Sequence, residues 1–262
     1  MKIIFLDVDG TLIGIRNNQQ YIPDSALLAI KKARKNGYKI ILCTGRSMEE
    51  LKNLMSIGFD GYIASNGNYI ELDQKVLSDI YINDQDFQMI EQILSKYSCD
   101  YYVQCHDGLY WSKKQKMDTL SYYGITEEQL NQTIFGIFKL LEERTSSINK
   151  IFFQGDKDLF LLLQKQLSPA FYLTYLNENI EIMKAQCNKE TGIQKILDCY
   201  KNQDIVTYAI GDSNSDRTMF YKVNYKIAMG NGEDELKKEA DYITSSIEED
   251  GIYLAFAHFK LI

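Results

Sequence analysis

Buried-strand runs and amphipathic stretches take turns along the first third of the chain. Ile3 to Leu6 is continuously apolar, the habit of a strand covered on both faces of a parallel sheet. Pro23 and Asp24 then open a helix whose apolar positions Leu27, Ile30 and Ala33 fall at helical spacing. Lys31, Lys32, Arg34 and Lys35 close it near the negative end of its dipole, and Gly37 stops it. Tyr38 to Cys43 reads as a second buried strand. After Thr44-Gly45-Arg46, the spacing of Ser47 and Glu50 is that of a capping box and predicts a helix carrying Leu51, Leu54 and Met55. Gly61 to Ala64 is a third strand, and Tyr69 to Leu77 reads as a hairpin turning at Asp73-Gln74.

The same alternation returns at the other end. A helix marked by Ile193, Ile196, Leu197 and Tyr200 precedes a strand at Ile205 to Ile210. A short helix after Asp216, a strand at Lys226 to Met229, a helix at Asp234 to Glu239 and a strand at Asp241 to Thr244 follow. Between these ends the pattern changes. A helix around Phe87, Ile90, Ile93 and Leu94 leads to a hairpin, Tyr101 to Gln104 with Leu109 to Trp111. Then come a strand at Ile148 to Phe153, a helix at Asp158 to Leu167, and paired strands at Phe171 to Leu176 and Ile180 to Met183. Consecutive strands without helices between them imply an antiparallel sheet. The expected organisation is therefore an α/β, Rossmann-like parallel-sheet core built from residues 1–80 and 185–262, with an α+β domain, residues 81–184, inserted as a cap. The stretch from Ile125 to Ser147 carries the weakest pattern.

Composition narrows the class of function. At 262 residues, 45% hydrophobic and 25% charged, the chain has the make-up of a globular protein. A net charge of −7 argues against nucleic-acid binding, which needs a basic face. Only five arginines stand beside 24 lysines, with no cluster, so an anionic substrate would be held by a metal and a few placed cations. The five cysteines are scattered without a Cys-x-x-Cys pair, as expected of buried reduced thiols in a cytoplasmic protein. No run is long enough to span a membrane, and the N-terminal apolar run meets Asp7 too early for a signal peptide. Asn131-Gln132-Thr133 matches a glycosylation acceptor, which carries no weight in a chain read as cytoplasmic. The two histidines, His106 and His258, are too few for a histidine-rich metal site, and the tyrosines at 97, 101, 102, 110, 122 and 123 read as packing. Oligomeric state is unreadable.

The candidate chemistry sits at strand ends. The first strand runs directly into Asp7-Val8-Asp9-Gly10-Thr11. Ligand sites in open α/β sheets form at such carboxyl ends, and residues two apart on extended chain point the same way. Two carboxylates so close ask for a cation or a shared proton, which suggests a divalent ion with one acid free for nucleophilic work. The alternative is an ordinary acidic turn. Thr44-Gly45-Arg46 combines a hydroxyl, backbone amides and a helix start, either an anion site or a polar connection. Gly211-Asp212 to Asp216 repeats the first design: Asp212 and Asp216 either share a helical face, face the strand end together, or cap a helix. No phosphate-loop signature is present, and Gly230-Asn231-Gly232 lacks the third glycine of a dinucleotide fingerprint.

In this order and on these strand ends, the motifs resemble the haloacid dehalogenase superfamily of phosphotransferases, over the whole chain, and within it the Cof-type sugar-phosphate phosphatases. Asp7-Val8-Asp9-Gly10-Thr11 looks like the first motif and Thr44-Gly45-Arg46 like the second. Lys189 falls at the third, where nothing in its own neighbourhood singles it out. Gly211-Asp212 opens the fourth, and the run Ala228 to Gly232 is similar to the Cof-type pattern. The resemblance implies Asp7 as nucleophile forming an aspartyl-phosphate and Asp9 as general acid/base. It implies Mg²⁺ held by Asp7, the Asp9 carbonyl and Asp212, with Asp216 a further acid at the metal. Val8, Thr44, Gly45, Lys189 and Ser215 would contact phosphate, and Arg46 the substrate. Ser215 stands where the family usually has Asn, which weakens that one contact. The implied substrate is a small phosphorylated metabolite, sugar phosphates first, with Trp111 and its neighbours as candidates for selecting it. A sugar phosphomutase, or a silent binding module on the same fold, is the alternative.

Overall fold

The computed structural model describes residues 1–17, 19–111, 139–141, 144–176 and 178–262. The acceptor motif at residues 131–133, the tyrosines at 122 and 123, and most of the weakly patterned stretch lie outside the described residues. The chain divides into two compact units: Met1–Gly45, Ile57–Ser78 and Asn188–Ile262 form the first, and Arg46–Ser56 with Asp79–Cys187 the second. Among the described residues, no helix is long and apolar enough to cross a membrane.

The first unit is built on strands β1 (Lys2–Leu6), β4 (Lys39–Cys43), β5 (Gly61–Ala64), β6 (Tyr69–Leu72), β7 (Lys75–Asp79), β14 (Val206–Gly211), β15 (Tyr225–Ala228) and β16 (Tyr242–Ile243). They form one eight-stranded sheet in the order β16-β15-β14-β1-β4-β5-β6-β7. Pairing is parallel from β16 to β5, and antiparallel between β5 and β6. Ile3 to Leu6 are fully buried, as their continuous apolar run requires of a central strand. The β6–β7 turn falls at Asp73 and Gln74, both at positive φ (49° and 64°), the backbone a tight hairpin needs. The parallel-sheet architecture read from the sequence is the one observed.

Helix α1 (Asp24–Lys35) buries Ala26, Ala29, Ile30 and Ala33. Two elements of this unit carry no clear sequence pattern. One is the hairpin β2 (Gly14–Arg16) and β3 (Gln19–Tyr21), too short for alternation to register. The other is a C-terminal helix, Gly251–His258, whose apolar residues lie all round and give no amphipathic period. It is joined to α1 by Ser25 Oγ donating to Asp250 Oδ1 at 2.6 Å.

The second unit holds a six-stranded sheet in the order β10-β9-β8-β11-β13-β12. Its strands are β8 (Tyr101–Cys105), β9 (Gly108–Trp111), β10 (Lys139–Leu140), β11 (Ile148–Gln154), β12 (Phe171–Leu176) and β13 (Asn179–Lys184). All pairs are antiparallel except β10 with β9. Helices α2 (Asp84–Lys96) and α3 (Lys157–Leu167), capped by Asn83 and Asp156, pack Ile90, Leu94 and Leu163 against Val103, Tyr110 and Ile151. On the other sheet face Tyr102 stacks on Phe152 at 4.7 Å and meets Trp111 at 5.9 Å.

The unit limits differ from the expected 1–80, 81–184 and 185–262 chiefly in the segment Arg46–Ser56, which groups with the second unit. The same segment corrects the expected helix after Ser47. The capping-box contacts form, with Ser47 N and Oγ each 2.7 Å from Glu50 Oε2, but a turn and a 3-10 stretch, Lys52–Ile57, follow instead of an α-helix. Glu50 Oε2 also accepts from Gln104 Nε2 at 2.8 Å, so a contact distant in sequence holds the segment, and Gly58 at φ +83° ends it.

The cysteines are all free, but not all buried: Cys43, Cys105 and Cys187 are, Cys99 is half-buried, and Cys199 is exposed just past a helix end. Burial pushes the Cys43 thiol well above its ordinary range. His258 stacks on Tyr242 at 3.9 Å, a packing role.

Candidate active site

The site is assembled where β1, β4 and β14 end side by side. Asp7 follows β1 directly, and its amide donates to the Ile210 carbonyl at 3.0 Å, carrying the β1–β14 pairing one residue further. The chain then turns tightly: the Val8 carbonyl accepts from Leu12 N (2.9 Å) and Ile13 N (2.7 Å). That turn separates the two acids that extended geometry would have aligned. Asp7 is buried among the sheet ends, whereas Asp9 is exposed. Gly10 sits at φ +78°, and a Cβ there would lie 2.2 Å from Asp212 Oδ2, so only glycine permits the approach.

Asp212 and Asp216 follow β14. The carboxylates of Asp7, Asp212 and Asp216 each place an oxygen within 4.8 Å of the others. The third acid differs from its partners in having both oxygens engaged. Asp216 Oδ2 accepts from the amides of Asp212 (3.0 Å) and Ser213 (2.9 Å), and Oδ1 from Lys189 Nζ at 2.5 Å. Thr11 Oγ1 donates to Asp212 Oδ1 at 3.0 Å. Ser215 is exposed, its Oγ 2.8 Å from Ser213 Oγ.

Lys189 is the first residue of α4 (Lys189–Asp198). Asn188 caps that helix, accepting from Thr191 N at 2.7 Å, and Thr191 Oγ1 accepts from Asn188 N at 3.2 Å. The cap fixes where the helix starts, and so fixes the lysine. Its ammonium is buried and lies 2.6 Å from Asp7 Oδ1. Thr44, buried at the end of β4, and Gly45 belong to the same unit; Arg46, also buried, belongs to the second.

The electrostatics follow from one ammonium facing three carboxylates. Burial works to lower the Lys189 pKa, but Asp216 and Asp7 together hold it well above the ordinary lysine value. Burial and the neighbouring Asp216 raise Asp7 well above the carboxylate range, with Lys189 opposing. Burial and Asp216 likewise bring Asp212 to about 7. With all three acids ionised, the cluster would carry more negative charge than its lysine neutralises. All its side-chain donors are oxygens, the set a hard divalent cation takes.

Of the residues expected from sequence, the structure brings together Asp7, Asp212, Asp216 and Lys189, leaves the Asp9 carboxylate outside the acid group, and puts Arg46 in the other unit. Sequence reasoning passed over Asn188, whose Asn-x-x-Thr spacing is a helix-start signal, and the segment Ser65–Asn68 beside Thr44, whose Asn-Gly pair is a turn signal.

A family model for haloacid dehalogenase-like hydrolases matches residues 4–256. A phosphatase of 5-amino-6-(5-phospho-D-ribitylamino)uracil from Bacillus subtilis, YwtE, is 29% identical over 96% of this chain and 96% of its own length. A phosphoglycolate phosphatase from Saccharolobus solfataricus is 25% identical over 96% of this chain and 92% of its own. A solved phosphatase of the same superfamily from Bacteroides thetaiotaomicron superposes with a TM-score of 0.82 at 25% identity, covering 100% of this chain and 96% of that one.

Proposed function

Because this chain belongs to the haloacid dehalogenase-like hydrolase family and is an enzyme of phosphatase type, we propose that it is a Mg²⁺-dependent hydrolase of sugar phosphates and related polyol phosphates, working through an aspartyl-phosphate on Asp7. The observation that carries this reading is the buried Lys189 ammonium shared between Asp7 and Asp216, with Asp212 beside them. Asp7 and Asp212 side chains, with the Asp9 carbonyl, are the groups that would hold Mg²⁺; the excess negative charge of the ionised acids and the all-oxygen donor set fit such an ion. When bound, the ion neutralises the carboxylates and so admits a phosphate dianion. Asp216, whose oxygens serve Lys189 and two amides, orients the lysine.

In the first step an Asp7 oxygen bonds to phosphorus, the phosphorus–leaving-oxygen bond breaks, and the Asp9 carboxyl proton passes to that oxygen. Lys189 and Thr44 stabilise the charge on the transferring phosphoryl group. In the second step Asp9, now a carboxylate, takes a proton from water as the water oxygen attacks phosphorus, releasing phosphate and restoring Asp7.

A cavity of about 350 Å³ adjoining Asp9 supports the preference for neutral, hydroxylated leaving groups. Gln20, Ser246 and Glu248 supply polar groups over an apolar lining of Ile13, Ile15 and Ile247, and no cationic side chain is among the described lining residues. An anionic leaving group would meet Asp9 and Glu248 there. Steady-state hydrolysis of a panel of phosphate monoesters, with and without Mg²⁺, tests the reading. Sugar phosphates should lead the panel, and Asp7→Asn should abolish turnover; turnover surviving in Asp7→Asn would falsify it.

A further inference from the structure

Between β5 and β6 the backbone passes through three consecutive residues of left-handed conformation: Ser65 (φ 48°), Asn66 (φ 54°) and Gly67 (φ 89°). Two of the three bear side chains, an uncommon arrangement that persists only where the surroundings impose it. The surroundings here are two elements of the candidate site. Asn66 N donates to the Thr44 carbonyl at 2.9 Å, tying the segment to the loop after β4. Gly67 presses on the cap of α4: a Cβ there would lie 2.4 Å from the Asn188 carbonyl oxygen and 3.2 Å from the Asn188 nitrogen. Asn188 is the residue whose cap fixes Lys189.

Asn68 closes the segment. It is fully buried, donates through Nδ2 to the Ser65 carbonyl at 2.5 Å, and its Oδ1 finds no hydrogen-bond partner. A buried acceptor without a partner costs stability, so its retention calls for an explanation. The start of the helix also packs closely on the sheet, because Gly192 in its first turn lies against Ile63 of β5, with room for no Cβ (2.5 Å to Ile63 Cγ2).

We propose that Ser65–Asn68 is a positioning element that seats the N-terminus of α4 and thereby aims Lys189 at the phosphoryl group, in register with Thr44. No residue of the segment is required to touch substrate. Its conformation sets the height of the Asn188 cap above the sheet ends, and a shift of the cap moves the ammonium away from Asp7 and Asp216. This rests on the reading of Lys189 given under the proposed function.

A double-mutant cycle separates this from a merely structural role, because residues acting through one another are non-additive. The variants are Gly67→Ala, Lys189→Met and the pair, with aryl phosphate hydrolysis and inhibition by vanadate as readouts and thermal melting as the folding control. Misplacing a charge by about an ångström should lower kcat/KM and weaken vanadate roughly 10- to 100-fold in Gly67→Ala, but less than roughly three-fold when Lys189 is already Met. Should Gly67→Ala not fold, Asn68→Ala, which removes the tie across the segment without adding an atom, is put through the same cycle. Asn66→Gly, which allows the same backbone, should keep full activity. Equal losses in both backgrounds overturn the inference and leave the role of Lys189 standing. An unimpaired Lys189→Met overturns that role and the inference with it.

Discussion

Lys189 Nζ lies 2.5 Å from Asp216 Oδ1, both side chains buried, while the other oxygen of Asp216 is held by two backbone amides. The acid therefore acts as a bracket between helix α4 and the turn after β14. Replacing it leaves Lys189 with Asp7 as its remaining carboxylate partner but leaves half-buried amides of the turn without their acceptor, at a cost of about 1–3 kcal/mol. Asp216→Asn should lower the denaturation midpoint accordingly, measured by urea unfolding, and should lower kcat more than it raises KM. An unchanged midpoint would contradict the bracket.

Asp7 and Lys189 share one hydrogen bond but have different proposed tasks. Asp7→Asn removes the attacking oxygen, so kcat should fall by at least about 10³-fold with substrate affinity retained. Lys189→Met removes a donor aimed at developing charge and should cost roughly 10²- to 10³-fold in kcat. Quenched-flow trapping of phosphorylated protein should give signal in the wild type and none in Asp7→Asn.

Asp212, with a pKa raised to about 7, and Asp7, also raised, keep protons in the folded chain that the unfolded chain has already lost above the ordinary value of 3.8. The folded state thus binds more protons across that window, and metal-free stability falls as pH rises through it. A bound divalent cation offsets the penalty of ionising the pair. The gain in Tm from a few millimolar Mg²⁺ should therefore grow between about pH 5 and about pH 8, by scanning calorimetry. A gain that shrinks with pH would contradict the metal assignment to these acids.

Gly10 at φ +78° has Asp212 against its Cα. Gly10→Ala forces both a rare backbone state and a displacement of Asp212. It should cost about 1–3 kcal/mol in stability and weaken Mg²⁺ binding, read by isothermal titration.

Glu248 lines the cavity beside Asp9. Neutralising it in Glu248→Gln removes a repulsion of order 1 kcal/mol, so relative kcat/KM for an anionic substrate such as phosphoglycolate over a neutral sugar phosphate should rise roughly three- to ten-fold. No change in that ratio would remove Glu248 from substrate selection.

How much of this was legible depended on whether the information was local. The Asp7 to Thr11 motif and the strand before it are contiguous, so pattern and chemistry are read together. The parallel order of the core was legible for the same reason, each strand being a continuous apolar run. Lys189 is one of 24 lysines and acquires its environment only when β1, β14 and α4 meet. Ser47 and Glu50 show the opposite error: the local capping signal is real, but Glu50 is also committed to Gln104, distant in sequence, and no helix follows. The C-terminal helix escaped because apolar residues lie on its exposed side as well, Leu254 and Ala257 among them, and erase the period by which helices are recognised. Ser65 to Asn68 escaped because the strain of a loop is a property of what surrounds it.

Strand β1 is made about 200 residues before β14, its neighbour in register from Lys2↔Val206 to Leu6↔Ile210. Until then the apolar run Ile3–Leu6 has one whole edge unsatisfied on the side where the acids gather. Long-range parallel pairing of this kind is slow to form and exposes a sticky edge while it waits. A chain truncated before β14 should therefore lose not one strand but the partner that makes its first strand safe, and should be recovered as aggregate.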